Sequence, residues 1–175
     1  MLELRQALEQ RFAECKLQLH PQKTKVVYCK DANRSGQHPE RSFDFLGYTF
    51  RPREAVNRRG ERFTAFLPAV SKKAAKKMRC RVRRWRLHRR NDLELADIAK
   101  QVGPVLTGWV RYYGRFYPSK LQEELRTIDV YIVRWATRKY KRFQGHKMVT
   151  WDWLRSVKRR DPGLFAHWGL GPAAR

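Results

Sequence analysis

The sequence predicts an α+β fold: a small mixed part over residues 1–67, a helical bundle over 71–143 and a basic C-terminal appendage over 144–175. Two patterns predict it. Short β-branched or aromatic segments bounded by turn residues occupy much of the first part, and apolar residues recur every three or four positions in the second. Hydrophobic residues make up 42% of the 175 residues, enough for a packed core.

The first part is predicted to contain one helix and three strands. The helix ends before His20-Pro21, because a residue that precedes proline is pushed out of the helical region. The run 43–50 is almost continuously apolar, so we expect a strand covered on both faces. Asn57–Gly60 is the predicted turn of a hairpin. The predicted elements are the helix over 2–18, with Leu4, Leu8, Phe12 and Cys15 on one face, and strands over 24–29, 43–50 and 62–67.

Capping residues and prolines predict the helix ends of the second part. Ser71 is predicted to cap a first helix, and Asn91 and Glu94 to form the capping box of a second helix that stops at Gly103-Pro104. Pro104 is predicted to open a third helix. Ser119 and Gln122 form another capping box, and Thr150 is the predicted cap of a last short helix. The long helix after Ser119 carries an apolar seam of Leu121, Leu125, Ile128, Ile132 and Trp135.

Residues 71–90 concentrate positive charge: eleven of the twenty are Lys or Arg and none is acidic. Apolar residues in the same segment recur at helical spacing, so we expect a helix that packs by one face and presents cations on the other. Positive charge is also distributed unevenly between the two parts of the chain. Residues 1–70 carry 13 basic and 8 acidic side chains, a net of +5, and residues 71–175 carry 27 and 8, a net of +19. A polyphosphate backbone is the commonest partner of such a surface; a merely solvated charge run is the alternative. The apolar face of this helix is Ala74, Met78, Val82 and Trp85.

The composition argues against several other classes of protein. Cys15, Cys29 and Cys80 are widely spaced and form no CxxC pair, which predicts reduced thiols and disfavours a zinc site or a disulfide scaffold. The five histidines have no paired ligands at metal-binding spacing, so we expect no metal site. No apolar run approaches 18 residues, and the N-terminus lacks the apolar core of a signal peptide. We therefore expect an intracellular protein without a membrane partner.

Four motifs follow one another in a particular order. They are Leu17-x-Leu19-x-Pro21-x-Lys23-Thr24, then Phe43-x-Phe45-Leu46-Gly47-Tyr48, then the basic segment, then Gly108-Trp109-x-x-Tyr112-Tyr113. With the tail Asp161–Trp168, this order makes the whole chain resemble the C-terminal end of a group II intron reverse transcriptase/maturase. The resemblance implies that residues 1–67 are the end of a reverse-transcriptase palm and 71–143 the thumb, or X, domain. It also implies a bacterial, cytoplasmic protein associated with ribonucleoprotein or nucleoid.

The resemblance further implies that the chain binds structured group II intron RNA and, during copying, a template–primer duplex. Proteins recognise A-form RNA by shape, phosphates and 2′-hydroxyls, or by stacking on unpaired bases. A primer-grip-like strand would consist of Phe45, Leu46, Gly47 and Tyr48, although core packing is the alternative for Phe45 and Leu46. The maturase motif would be Gly108, Trp109, Tyr112 and Tyr113, of which we expect Trp109 and Tyr113 to pack and Tyr112 to meet RNA. The expected RNA-binding residues are Lys23, Lys25, Lys72, Lys73, Lys76, Lys77, Arg79, Arg81, Arg83, Arg84, Arg86, Arg111, Tyr112, Arg115, Arg138 and Arg142.

The chain departs from this family in its carboxylates. Such polymerases hold two metal ions on a Tyr-x-Asp-Asp turn and a third aspartate. The seven aspartates of this chain are isolated from one another, and the resemblance implies that the fingers and most of the palm are missing. We therefore expect no catalytic residue, metal ligand or cofactor here, with Mg²⁺ needed only by a complete reverse transcriptase.

The favoured interpretation is an RNA-binding, maturase-type fragment that assists splicing or retrohoming and does not copy RNA by itself. One alternative is a subunit of a split RNA-directed DNA polymerase, completed by a separate palm-and-fingers polypeptide, so whether the chain is part of an enzyme stays open. A decayed remnant and a general DNA-binding module are further alternatives. Because the strands of the first part would normally extend a larger sheet, we expect it to be less stable than the bundle unless another subunit covers it.

Overall fold

The computed structural model describes residues 2–34, 36 and 38–170. Over these residues the chain is α+β, as predicted, with five α-helices and a three-stranded antiparallel sheet in the order β1-β2-β3. No helix within the described residues is long and apolar enough to cross a membrane. The helices are α1 (Leu2–Glu14), α2 (Lys72–Trp85), α3 (Leu95–Tyr113), α4 (Pro118–Lys139) and α5 (Lys147–Arg160), and the strands are β1 (Phe43–Phe45), β2 (Tyr48–Val56) and β3 (Arg62–Val70).

The chain forms two compact units. The first comprises the residues up to Phe43 together with Phe50–Phe66, and the second comprises Asp44–Thr49 and the chain from Leu67 onward. None of the described residues of the first unit is buried. Its ring contacts include the stacking of Phe43 on Phe50, with ring centroids 4.8 Å apart. A unit without buried side chains gains little from the hydrophobic effect, which agrees with the expectation of low stability, although that expectation stays a prediction.

The hydrophobic core lies in the second unit and is centred on α4. The predicted seam of α4 is confirmed, since each of its five residues is at most 1% exposed. Helix α2 packs by its predicted apolar face, with Met78 and Val82 buried and Trp85 half-buried. Ser71 caps α2 as predicted, because its Oγ accepts a hydrogen bond from the Ala74 N–H at 3.1 Å. Helix α5 and the segment after it also contribute buried side chains to this core, among them Leu154 and Phe165.

Three predictions for the first 67 residues are wrong. Helix α1 ends at Glu14, earlier than predicted, where Lys16 adopts a left-handed φ of 57°, and its Leu4 and Leu8 are exposed. Residues 24–29 are not a strand, because β-branched composition alone does not form one when no neighbouring strand supplies a hydrogen-bond ladder. The run 43–50 is divided by a turn into β1 and β2 and is largely exposed. The hairpin turn at Asn57–Gly60 is confirmed, with the Gly60 N–H donating to the Asn57 carbonyl at 3.0 Å.

Four predicted helix boundaries are also wrong. Gly103-Pro104 does not stop a helix or open a new one, and α3 continues through Pro104. Buried Ile98, Val102 and Leu106 lie on both sides of the proline, so core packing outweighs its lost hydrogen bond. The remaining starts differ as follows: the capping box of α3 is Glu94 with Asp97, not Asn91 with Glu94; α4 begins at Pro118, not after Ser119 with Gln122; and α5 begins at Lys147, so Thr150 lies inside its first turn.

Candidate nucleic-acid interface

The exposed side of α2 carries the cations that the sequence assigns to it. Arg79 forms an ion pair with Glu124 of α4. The other eight have no carboxylate within ion-pair distance among the residues that the structure describes. Because the opposite side of α2 is packed on the core, these charges are held on one surface and create a concentrated positive potential. All nine are exposed: Lys72, Lys73, Lys76, Lys77, Arg79, Arg81, Arg83, Arg84 and, at the C-cap, Arg86.

Leu46 and Gly47 form a two-residue turn between β1 and β2, with φ angles of 48° and 82°. Positive φ at both central residues is typical of a type I′ hairpin turn. A Cβ at Gly47 would lie 2.7 Å from the Tyr113 hydroxyl oxygen. Glycine is therefore needed here both for its backbone conformation and for the close approach of α3. In this structure the space beside Gly47 is thus occupied by a tyrosine of the same chain.

Two tyrosines join this turn to the end of α3. The buried Tyr48 donates its hydroxyl hydrogen to the backbone oxygen of Tyr112, and Tyr112 donates its own to the backbone oxygen of Leu46 at 2.9 Å. The Ser71 N–H donates to the Gly47 carbonyl at 2.9 Å and so connects the turn to the start of α2. Burial raises the pKa of Tyr48, which keeps its hydroxyl protonated as a donor. The primer-grip-like and maturase motifs are thus in direct contact.

A groove runs between α2 and the C-terminal half of α3, and we call it the α2–α3 groove. It consists of two adjoining cavities of about 510 Å³ and 470 Å³ that share Ala74, Lys77 and Tyr113. Its cations come from α2 and its Trp and Tyr rings from α3, and one end is closed by Phe45 of β1 and the turn between β1 and β2. The residues that give it chemical character are Lys73, Lys77, Arg81 and Arg84; Trp109, Tyr112 and Tyr113; Phe45 and Leu46; and the acidic Asp44.

The aromatic residues of the groove are fixed in different ways. Trp109 and Tyr113 are half-buried and pack against the core, as predicted, and Trp109 stacks on Trp85 with centroids 5.9 Å apart. Burial also raises the pKa of Tyr113. Tyr112 is 46% exposed, but its hydroxyl donates to the backbone oxygen of Leu46. Any RNA contact of Tyr112 would therefore use the ring face.

The remaining predicted site residues lie elsewhere. Arg111 and Arg115 are exposed at the end of α3, and Gly108 faces open space, since an added Cβ there would meet no atom within 4 Å. At the end of α4, Arg138 donates to the His88 backbone oxygen at 3.3 Å, and the exposed Arg142 lies over the Phe143 ring at 4.7 Å. Lys23 and Lys25 belong to the first unit, where Lys25 pairs with Glu40 at 2.6 Å.

The sequence reasoning missed a buried polar network around Asp129 of α4, which is 5% exposed. Its carboxylate accepts hydrogen bonds from Lys158 Nζ at 2.5 Å and Trp168 Nε1 at 3.0 Å, and His167 Nε2 lies 3.2 Å away. Burial alone would raise the pKa of Asp129, but the hydrogen bonds from His167, Lys158 and Trp168 outweigh it and hold the pKa below its ordinary value. An aspartate inside the apolar seam, directly after Ile128, is the signal that could have predicted buried partners.

The match to a known family covers the helices that form this interface. Residues 75–152 match the family described as group II intron, maturase-specific domain. The C-terminal region of this chain is of the group II intron maturase type. A search of curated proteins and a search of solved structures each found no match.

The matched stretch begins inside α2, includes α3 and α4, and ends inside α5. It therefore includes the maturase motif and most of the cations of α2. It implies a role in group II intron splicing for this region. The turn at Leu46-Gly47 and the first unit lie outside the match.

Proposed function

We propose that this chain binds structured group II intron RNA through the exposed face of α2 and the α2–α3 groove, and thereby assists splicing. The observation that carries the proposal is the set of eight exposed cations of α2 and its C-cap, which have no carboxylate partner in the described part of the chain and lie beside a groove lined by aromatic rings. The maturase-type match over the same helices gives the RNA its class. Copying of RNA by this chain alone is not part of the proposal.

Each part of this surface suits folded RNA. Arginine guanidinium groups bind phosphate in a bidentate manner and stack on bases, and arginines dominate the second half of α2. The side chains project from a helix that is packed on the core, so little conformational freedom of the backbone is lost on binding. The half-buried Trp109 and Tyr113 offer ring surfaces to any base that enters the groove.

Salt dependence of binding tests this proposal. The affinity for an in vitro transcribed, folded group II intron RNA is measured by filter binding over a range of salt concentrations. Each phosphate contact contributes a log–log slope of about −0.7 to −0.9. Replacing Arg81, Arg83, Arg84 and Arg86 with Ala should weaken binding and make the slope shallower by about 3.

A matched control removes the same number of charges from other exposed positions. In this control Arg58, Arg59, Lys141 and Arg159 are replaced with Ala; all four are exposed. We expect the control to keep a slope close to that of the unaltered chain. If both variants lose the same affinity and the same salt slope, only the net charge of the chain matters, and the proposed interface is overturned. Tighter binding to a duplex DNA than to the RNA at the same salt concentration would overturn the choice of RNA.

A second candidate is a subunit of a split RNA-directed DNA polymerase. It is favoured by the exposure of Phe45 and Leu46, at 59% and 68%, which leaves apolar surface at the end of the α2–α3 groove for another polypeptide to cover. Primer extension by a palm-and-fingers chain, measured with and without this protein, tests it. Replacing Phe45 and Leu46 with Ser should abolish any stimulation, whereas the salt slope of RNA binding, which the cations of α2 determine, should stay unchanged. Stimulation that persists in that variant would exclude this docking surface.

A further inference from the structure

A second groove lies on another side of the second unit, between α4 and the start of α5. It has a volume of about 610 Å³. Its floor is largely apolar, with Val130, Val133 and the half-buried Trp151, and one wall is His88 from the 3₁₀ turn Leu87–Arg89. None of its described lining residues belongs to the α2–α3 groove.

Three cations surround this groove: Arg134, Arg138 and Lys147. None has a carboxylate within ion-pair distance among the described residues, and no acidic side chain is found among the described residues that line the groove. Lys147 is also the first residue of α5, whose first turn contains no acidic residue. The unneutralised N–H groups at this helix start add to the positive potential of the cations. The rim therefore favours an anion.

His88 contributes a polar atom that no residue described by the structure satisfies. Its Nδ1 is buried and has no hydrogen-bond partner among those residues, although its ring contacts Tyr131 with centroids 6.0 Å apart. Burial lowers the pKa of His88, and the nearby Arg138, Arg89, Arg134 and Arg86 lower it further, so the imidazole is neutral at pH 7. A neutral imidazole stacks on aromatic rings and carries no positive charge that a base would have to desolvate.

We propose that this groove binds one unpaired nucleotide of an RNA strand, with the base over the apolar floor beside Trp151 and His88 and the phosphate between Arg134, Arg138 and Lys147. A nucleotide combines a flat, largely apolar base with a negative phosphate, and the groove combines the complementary surfaces. The inference rests on the proposed function only because the ligand is RNA. It adds a second contact surface that distinguishes unpaired from fully paired RNA.

The test compares two hairpin RNAs that differ by a single unpaired adenosine bulge, using fluorescence anisotropy with the full chain. Stacking of one base on protein aromatic groups corresponds to a preference of about tenfold for the bulged hairpin. Replacing Arg134 and Lys147 with Gln should remove the preference. Val130→Trp, which fills the groove and changes no charge, should also remove it. The matched control replaces the exposed Lys141 and Arg159 with Gln, removes the same charge, and should keep the preference.

The outcomes separate this inference from the proposed function. If the unaltered chain binds neither hairpin, the proposed RNA binding fails. If it binds both equally, or if the control loses the preference as completely as Arg134→Gln with Lys147→Gln, RNA binding stands and the nucleotide groove is wrong. Retention of the full preference by Val130→Trp would also overturn it.

Discussion

Replacing Asp129 with Ala should destabilise the second unit more than any exposed substitution. The change removes the acceptor of three donors, Lys158, His167 and Trp168, of which His167 is 4% exposed. Leaving a buried donor unsatisfied costs about 1–3 kcal/mol, and breaking a buried charge pair by removing one partner costs about 3–5 kcal/mol. These costs overlap, so we expect a loss of about 3–5 kcal/mol in the free energy of unfolding.

Urea denaturation followed by circular dichroism measures this loss. Since the total stability of a domain is about 5–15 kcal/mol, the transition midpoint should move far to lower urea. The matched control is Asp152→Ala on α5, which removes a carboxylate whose ion pair with Arg155 is exposed on both sides. An exposed pair contributes about 0–1 kcal/mol. If Asp129→Ala lies within about 1 kcal/mol of this control, the reasoning about the buried network is refuted.

Three further predictions concern pH, the turn and α3. Hydrogen bonds from His167, Lys158 and Trp168 outweigh burial and hold the folded-state pKa of Asp129 below its ordinary value. Its stabilisation is therefore present above the pKa of an unfolded aspartate and is lost as the pH falls through the folded pKa. The difference in unfolding free energy between the unaltered chain and Asp129→Asn should narrow in acid, and a constant difference would contradict this. Gly47→Ala should lower the free energy of unfolding by about 1–3 kcal/mol, because of the positive φ at this position and the contact with Tyr113. Gly108→Ala should raise it by about 0.5–1 kcal/mol. Equal thermal midpoints for the two variants would refute this prediction. Pro104→Ala should raise the midpoint, because it restores a helical hydrogen-bond donor at an exposed position; a lower midpoint would show that α3 requires the proline.

The sequence predicts those helices for which the spacing of the apolar residues and the capping residues at the ends indicate the same bounds. Helix α2 is one, because Ser71 and the spacing of Met78 and Val82 point to the same start and the same buried face. Pro104 shows the opposite case. Its local signal is a helix stop, but the core side chains on both sides of it keep α3 continuous, and no local pattern reveals that balance.

The candidate site was predictable in its composition and not in its geometry. An acid-free run of cations beside an apolar stripe is enough to predict that the basic side chains of α2 are exposed. The contact between Leu46 and Tyr112 joins residues 66 positions apart, and neither local periodicity nor spacing reports such a pairing. The groove around His88 was missed for the same reason, since its walls come from three separate elements.

The bond from Tyr48 to the backbone oxygen of Tyr112 has a consequence for local dynamics. Tyr112 lies in the last turn of α3, where carbonyl groups have no partner within the helix. Tyr48 thus satisfies a carbonyl group at the C-terminal end of a helix that is remote from it in sequence. The last turn of α3 can fray only when the hydrogen bond from the Tyr48 hydroxyl to the Tyr112 backbone oxygen breaks. Backbone amides of that turn and of the β1–β2 turn should therefore exchange with deuterium at one common rate, as a single opening unit.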